Sequence, residues 1–261
     1  METITGRSNP AVVEAAKLAD KKHRTEQGAF AFEGIKLFSE AAAAGADFRR
    51  VFVTEDAYRK YQSALTAALR PDQLSLVSDA VYAKLSLEQA PQGVFSVASL
   101  YHAPKKENAT FVLLLDGVAD PGNLGAILRS ADAFGVDTVY LGAGGADLYN
   151  PKTVRACMGS LFRVDVRESG DLPRQIASLR AEGFRLYATM LDRDAKDLRT
   201  LDFSGKIGFV VGNEGHGISD AVRAACTGST IIPMREGPES LNASVAASVV
   251  LWEAARAGNR I

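Results

Sequence analysis

The sequence predicts an α/β protein in which a smaller α/β domain precedes a C-terminal domain built on a parallel sheet. Over residues 111–261, near-continuous apolar runs alternate with helical patterns, which is typical of strands buried on both faces of a parallel sheet. Strand and helix patterns also alternate over residues 24–100. The stretch between them, YHAPKKENAT at 101–110, is polar, contains a proline and lacks apolar periodicity. We therefore expect one domain over 1–104 and a second over 105–261.

Composition narrows the class of protein. The 261 residues are 47% hydrophobic and 23% charged, as in ordinary globular proteins. No apolar run approaches the ~18–20 residues that span a bilayer, and the first residues lack a signal-peptide core, so we expect a cytoplasmic protein without a membrane partner. Cys157 and Cys226 belong to no CxxC or Cys/His cluster, and no Asp/Glu/His cluster suggests a metal. Both cysteines are expected to be buried thiols.

The charge balance bears on nucleic acid as a partner. The chain has a net charge of −1, and residues 1–104 hold 12 Lys and Arg against 12 Asp and Glu. A protein that binds nucleic acid over its whole surface usually carries a net positive charge. An RNA partner would therefore require local positive charge, or a surface assembled from two subunits.

In the first domain, the pattern over residues 11–24 predicts an amphipathic helix. Its basic side chains fit either a solvated face or an arm for phosphates. Residues 29–57 predict strand, helix and strand, with Gly45 as the helix C-cap. A further strand, helix and strand are predicted at 74–78, 79–87 and 93–100.

In the second domain, five apolar runs predict strands. They lie at 111–116, 137–142, 184–190, 207–212 and 230–234. After the first of them, a helix is expected to open near Asn123 and end at Gly135. The last helix is expected to be capped near Ser240 or Asn242. Three loops that each follow a strand should gather at the carboxyl edge of the sheet, where open α/β sheets bind ligands.

The glycine loop after the first of these strands is not a familiar nucleotide motif. Gly117 and Gly122 have the spacing of a P-loop, but Asn123 and Leu124 follow in place of Lys and Ser/Thr, which makes an NTPase improbable. The GxGxxG pattern of dinucleotide-binding proteins is missing, which disfavours a nucleotide-dependent oxidoreductase.

Three stretches occur in an order that resembles a known family. They are 123-NLGAILR-129, 212-GNEGHG-217, and 232-IPM-234 with 240-SLNASVA-246. With these motifs the sequence resembles the SpoU/TrmH RNA 2′-O-ribose methyltransferases of the SPOUT superfamily. The N-terminal part is similar to that family's small substrate-binding domain, through 24-RTEQGAFAFEG-34 and 48-FRRVFVTED-56. The sequence departs from the family's common pattern in the loop REGPE before Ser240 and at Ala243.

The resemblance implies S-adenosylmethionine as the methyl donor, a deep trefoil knot in the C-terminal domain, and a homodimer with sites at its interface. It implies that the cofactor is bound largely through backbone groups. The residues concerned are Gly212, Ile232, Met234, Ser240 and Leu241. Ile232 and Leu241 could instead be plain core residues.

The resemblance also implies catalytic residues. Arg129 would act on the ribose hydroxyl. Because an arginine is a poor base, we expect it to hold the neighbouring phosphate and stabilise the developing alkoxide. Asn123 would orient ribose or phosphate, and Glu214 and Asn242 would brace Arg129 or the loops. The alternatives are a solvated Arg129 paired with Asp132, a lone surface acid at Glu214 and a simple N-cap at Asn242.

Basic residues would supply the phosphate contacts to RNA, namely Lys21, Lys22, Arg24 and Arg155. His216 is expected to be incidental. The predicted function is methyl transfer from S-adenosylmethionine to a ribose 2′-hydroxyl of RNA, with 23S-type ribosomal RNA favoured by family analogy. The alternatives are a tRNA ribose methyltransferase and a catalytically silent RNA-binding or assembly protein.

Overall fold

The computed structural model describes residues 1–235 and 240–261. The chain forms two compact units: the first comprises Met1–Tyr101 with Tyr149–Phe162, and the second comprises His102–Leu148 with Arg163–Ile261. The segment Tyr149–Phe162 thus packs with the first unit, although it lies well inside the predicted second domain. In the described part of the chain, no helix has both the length and the apolar character needed to cross a membrane.

The first unit is built on a five-stranded mixed sheet with strand order β1-β4-β3-β5-β2. Strand β5 runs antiparallel to both of its neighbours, and the remaining pairs are parallel. The elements of this unit are β1 (Glu2–Ile4), α1 (Pro10–Lys17), α2 (Lys21–Gln27), β2 (Ala29–Glu33), α3 (Ile35–Ala43), β3 (Phe48–Thr54), α4 (Glu55–Ala68), β4 (Leu74–Val77), α5 (Asp79–Leu85), β5 (Val94–Ser99) and α7 (Pro151–Ala156).

The N-terminal helix differs from its prediction, because residues 11–24 form parts of two helices. The chain turns after α1, and Asp20 caps the start of α2. Arg24 is only 3% exposed, and its Nη1 donates hydrogen bonds to the carbonyl oxygens of Leu18 (2.7 Å) and Ala19 (2.8 Å). The guanidinium therefore satisfies backbone groups of the turn. The structure does not place Arg24 where RNA could reach it, which corrects the predicted RNA contact.

The second unit is built on a seven-stranded sheet with order β10-β12-β9-β11-β6-β7-β8. Every strand pair in it is parallel, as predicted. The elements are β6 (Phe111–Asp116), α6 (Pro121–Ala133), β7 (Thr138–Leu141), β8 (Asp165–Glu168), α8 (Leu172–Ala181), β9 (Arg185–Thr189), β10 (Lys196–Asp197), β11 (Ile207–Gly212), α9 (Asp220–Ala225), β12 (Gly228–Ile231) and α10 (Ala243–Ala257).

Three short strands, β1 of the first unit and β8 and β10 of the second, are absent from the sequence-based prediction. Strand β12 ends at Ile231, earlier than the predicted 234, because Pro233 has no N–H to give to a neighbouring strand. The central strands are apolar on both faces and almost completely buried, which explains their continuous hydrophobic runs. The trefoil knot implied by the resemblance stays a prediction.

Both cysteines are buried thiols, as predicted. Cys226 lies at the end of α9, and its Sγ donates to the carbonyl oxygen of Val222 at 3.3 Å. Burial raises the pKa of the Cys226 thiol to about 11, so the group stays protonated at neutral pH. A protonated, buried thiol is a poor nucleophile, which fits a packing role.

Candidate functional site

Helix α6 begins slightly earlier than predicted. Asp120 is its N-cap, and a carboxylate oxygen of Asp120 accepts a hydrogen bond from the backbone N–H of Asn123 at 2.8 Å. Pro121 occupies the first turn, where its missing N–H costs nothing. Asn123 therefore lies inside the first turn rather than before it. The helix ends at Ala133 with Phe134 as its C-cap, and Gly135, the predicted end, follows with a φ of 73°.

The loop after β11 is held by its own backbone and by Asn213. The backbone N–H groups of Asn213 and Gly217 donate to each other's carbonyl oxygens at 3.0 and 2.9 Å. The Asn213 side chain donates to the Gly117 carbonyl (2.7 Å) and accepts from the Gly215 N–H (2.8 Å). A Cβ at position 212 would lie 2.3 Å from the Gly217 carbonyl carbon. Glycine at 212 is thus required by the loop itself, whatever ligand it also admits.

Asn213 was not predicted as a site residue. A signal for it exists in the sequence, because an asparagine directly after a buried strand and before glycines commonly hydrogen-bonds the backbone two residues on. Here it ties the loop after β11 to the loop after β6.

Three predicted catalytic residues form a polar chain: Glu214, Asn123 and Asn242. Asn123 Nδ2 donates to Glu214 Oε1 at 2.7 Å, and Asn242 Nδ2 donates to Asn123 Oδ1 at 3.1 Å. Asn242 Oδ1 also caps α10 by accepting from the N–H groups of Ser244 and Val245. The members come from the loops or helix starts after β6, β11 and β12, so the predicted gathering of three loops at one sheet edge is confirmed.

The carboxylate of Glu214 anchors one end of this polar chain. Its partial burial raises the pKa, but hydrogen bonds from Asn123 and from backbone N–H groups at 119, 120 and 214 outweigh burial and hold the pKa below its ordinary value. An ionised carboxylate accepts hydrogen bonds only. It therefore fixes which end of the Asn123 amide faces Glu214 and which faces Asn242.

Arg129 stands apart from the polar chain. Its side chain is exposed on α6, and among the described residues it has no hydrogen-bond or ion-pair partner. Asp132 is paired instead with Arg163, at 2.8 Å, so the alternative in which Asp132 neutralises Arg129 is wrong. Glu214 and Asn242 contact Asn123 and not Arg129, so of the two expected roles they fit the bracing of the loops.

A cavity of about 360 Å³ opens at the carboxyl ends of β9, β11 and β12. Its wall is largely apolar, which is typical of sites for small molecules and cofactors. Glu214 belongs both to this wall and to the polar chain. The wall includes all five predicted cofactor residues: Gly212, Ile232, Met234, Ser240 and Leu241. Ile232 and Leu241 are therefore not plain core residues.

Part of the loop between β12 and α10 lies outside the described residues. These are residues 236–239, which make up most of the REGPE departure noted in the sequence. His216, expected to be incidental, is exposed and lies in the cavity wall. In residues 1–235 and 240–261, no group of three or more His, Cys, Asp and Glu side chains is arranged to hold a metal ion.

The predicted RNA-binding residues of the first unit have different environments. Lys21 and Lys22 are exposed at the start of α2, and Lys22 Nζ lies 3.9 Å from the Glu26 carboxylate. Arg155, in α7, contacts both carboxylate oxygens of Glu88 at 2.6 and 2.7 Å. The charges of the two lysines are therefore largely unneutralised, whereas Glu88 partly neutralises the charge of Arg155.

Comparison with known proteins supports the family resemblance that these motifs indicate. Residues 110–252 match the model of the SpoU rRNA Methylase family, and residues 9–96 match the MRM3-like substrate binding domain. The chain is 34% identical over 254 residues to the 23S rRNA (guanosine(2553)-2′-O)-methyltransferase RlmP of Bacillus subtilis (strain 168), covering 97% of this chain and 98% of the relative. It is 32% identical to the 23S rRNA (uridine(2479)-2′-O)-methyltransferase of Streptomyces viridochromogenes, covering 92% and 87%.

A solved structure agrees with the fold over almost the whole chain. The AdoMet-bound rRNA methyltransferase from Sinorhizobium meliloti superimposes with a TM-score of 0.86 at 29% identity, covering 98% of this chain and 97% of that one. The matching family model, the full-length relatives and the shared fold lead to one conclusion: the chain belongs to the SpoU rRNA methylase family.

Proposed function

We propose that the protein transfers a methyl group from S-adenosylmethionine to a ribose 2′-hydroxyl of ribosomal RNA, with 23S-type RNA as the substrate. The observation that carries the proposal is the position of Glu214, which lines the apolar cavity and also holds Asn123 on α6. A cofactor cavity and the polar residues of a reaction site thereby meet at one edge of a parallel sheet. The full-length relatives, which are named for 2′-O-methylation of 23S rRNA, support the choice of reaction and RNA.

The cofactor site would consist of Gly212, Ile232 and Leu241 acting through backbone groups, with Met234 and Ser240 in the wall. A cavity of about 360 Å³ lies within the usual range for a ligand of this size. When bound, S-adenosylmethionine supplies a methyl group already activated on a sulfonium. The protein therefore needs no covalent intermediate, and its main task is to align the reacting groups, which can contribute up to ~7–11 kcal/mol in the best cases.

Arg129 would bind the phosphate beside the target ribose and stabilise the negative charge that develops on the 2′-oxygen. Its guanidinium stays protonated, so the hydroxyl proton passes to a phosphate oxygen or to water instead. Asn123 is already engaged by Glu214 and Asn242. It retains one amide N–H and one carbonyl lone pair with which it could orient the RNA.

The first unit would bind RNA, with Lys21 and Lys22 as exposed phosphate contacts and Arg155 as a weaker one. This matches the substrate-binding family model over residues 9–96. The main alternative substrate is tRNA, and the relatives named for 23S rRNA favour ribosomal RNA over it. The protein would act in the cytoplasm, where bacteria make ribosomal RNA and assemble it into ribosomes.

The protein would act as a homodimer that pairs through α10. Val245, Val249 and Trp252 are 47%, 36% and 47% exposed and recur at spacings of four and three, so they form one apolar stripe along the helix. Asn242, in the polar chain, caps the same helix, so a second copy on this stripe would lie beside the site. Light scattering of the wild type and of Trp252→Arg tests the proposal: the wild type should be dimeric and the variant largely monomeric.

The first test of the activity is calorimetric titration with S-adenosylhomocysteine, followed by transfer of labelled methyl to 23S rRNA and to tRNA transcripts. We expect binding by the wild type and its loss in Leu241→Arg, which puts a charge into the cavity wall. Label should appear in 23S rRNA as a 2′-O-methyl nucleoside. If no binding occurs even with rRNA present, the methyltransferase proposal fails and a silent RNA-binding protein becomes the better account. Label in tRNA alone would establish the tRNA alternative.

A further inference from the structure

The hydroxyl of Thr189 has no assigned role and no hydrogen-bond partner within residues 1–235 and 240–261. Thr189 is the last residue of β9, which lies between β12 and β11 in the sheet, and it lines the cavity described above. Its Oγ1 is buried, and among the described residues nothing forms a hydrogen bond with it. Buried hydroxyl groups are hydrogen-bonded in the large majority of cases, so an exception in a cavity wall requires an explanation.

The neighbouring strand provides an internal comparison. Thr230 of β12 is the register partner of Thr189. The Thr230 hydroxyl donates to the carbonyl oxygen of Lys196 at 3.0 Å, and Thr230 is not part of the cavity wall. Two threonines at the same level of the sheet thus differ in one respect. The hydroxyl of Thr230, a residue outside the cavity, has a protein partner, and the hydroxyl of Thr189, a residue of the cavity wall, has none in the described part of the chain.

We infer that Thr189 is a cofactor-binding residue whose hydroxyl forms a hydrogen bond with the adenosine part of S-adenosylmethionine; this inference rests on the proposed function. Its neighbours in the wall, Met190, Val211 and Ile231, are apolar. Such surroundings suit a flat nucleoside better than the zwitterionic methionine end, which needs charged or strongly polar partners. A rotation of about 120° about χ1 can move the hydroxyl of a threonine into the position that its methyl group held, so the buried oxygen can turn towards a ligand.

This arrangement predicts effects of opposite sign on stability and binding. Without ligand, a buried hydroxyl that lacks a partner is unfavourable, so the isosteric Thr189→Val should keep or raise the Tm. With ligand, the same change removes a hydrogen bond, and the affinity should fall by about 5- to 100-fold. A residue with only a packing role would not separate the two measurements in this way.

The test is calorimetry and thermal unfolding of the full-length protein with S-adenosylhomocysteine and with methylthioadenosine, a nucleoside that lacks the amino acid. We expect Thr189→Val to weaken both ligands by a similar factor, and Thr189→Ser, which keeps the hydroxyl, to stay within about threefold of wild type. Thr230→Val is the matched control. It should lower the Tm through loss of its bond to Lys196, with little change in affinity.

The outcomes separate the inference from the function on which it rests. Wild-type affinity of Thr189→Val for both ligands would overturn the role of Thr189 and leave the methyltransferase proposal standing. Weakening of S-adenosylhomocysteine alone would also overturn it, because the hydrogen bond would then go to the amino-acid end. Failure of the wild type to bind either ligand, with or without rRNA, would overturn the proposed function and this inference together.

Discussion

Two parts of the candidate site, both attached to α6, are prepared to different degrees. Asn123, in the first turn, is held between Glu214 and Asn242 by hydrogen bonds of 2.7 and 3.1 Å. Arg129, farther along the same helix, is exposed and has no partner in the described part of the chain. The difference indicates a division of labour. The polar chain sets the geometry of the loops before any ligand arrives, whereas Arg129 would, in the proposed mechanism, find its partner only in a phosphate of the RNA.

We expect the largest effect from substitution of Arg129, which has no partner in the described part of the chain. Arg129→Ala should lower kcat by about 10²- to 10³-fold, because it removes the charge that would stabilise the transition state in the proposed mechanism. The Tm and the affinity for S-adenosylhomocysteine should be unchanged, since the side chain contacts neither the polar chain nor the cavity wall. Arg129→Lys, which keeps the charge but loses the planar fork, should be intermediate. A comparable loss of cofactor affinity in Arg129→Ala would contradict the division of labour.

The second largest effect is expected in the loop after β11, whose geometry, like that of the polar chain, is fixed before any ligand binds. Gly212→Ala places a Cβ within 2.3 Å of the Gly217 backbone, so the loop must shift. We expect a destabilisation of about 1–3 kcal/mol, as for other overpacked sites, together with weaker binding of S-adenosylhomocysteine. Gly215→Ala is the control in the same loop, because its Cβ would make only one ordinary contact, 3.4 Å from Asn213 Oδ1. Equal behaviour of the two variants in calorimetry and urea unfolding would refute this account of the loop.

Two substitutions of Asn242 can separate its roles as the N-cap of α10 and as a member of the polar chain. Asn242→Ala loses both functions and should lose about 1 kcal/mol of stability through the missing cap. Asn242→Asp keeps an oxygen that can cap α10 but cannot donate to Asn123, so its stability should stay near that of wild type. Both variants should lower kcat by about 10-fold, the equivalent of one hydrogen bond. Full activity in Asn242→Asp, measured by methyl transfer, would mean that the cap alone matters.

The smallest effect is a pH dependence at Glu214. Because its folded-state pKa lies below the ordinary value of 4.5, the stabilisation by its carboxylate is fully present above that value and is lost as the pH falls through the lowered pKa. The side chain is mostly exposed, with only partial burial of its carboxylate, so the contribution should be about 0.5 kcal/mol or less. Urea unfolding of the wild type and Glu214→Gln should therefore differ above pH 4.5 and converge in more acidic solution. A difference that grows towards acid would have the wrong sign.

The cavity was more predictable than the surroundings of the charged residues. Parallel strands place their carboxyl ends at one edge, so the gathering of three loops could be predicted from the alternation of strands and helices, and the family resemblance then singled out Gly212, Ile232 and Leu241. The environment of an arginine depends on carbonyl oxygens and acids that come close only in the folded chain. Arg24 is buried because a turn needs its donors, and no local pattern signals that need.

The pairing of Asp132 illustrates the same limit over a longer distance in sequence. Asp132 lies three residues from Arg129, a spacing that favours pairing on a helix. It pairs instead with Arg163, which is brought near it by the fold. Helix propensity and residue spacing indicate which helix or strand carries a side chain. Tertiary packing determines the residue with which that side chain forms an ion pair.

The packing of Tyr149–Phe162 with the first unit has a consequence for protein engineering. The rings of Tyr149 and Phe162 lie 4.9 and 6.3 Å from the ring of Phe30, so aromatic contacts of β2 come from a segment far along the chain. A fragment that stops at residue 104 would lack these rings. Chimeras that exchange substrate-recognition modules between relatives should therefore carry this internal segment along with the N-terminal portion, because the natural crossover points are three rather than one.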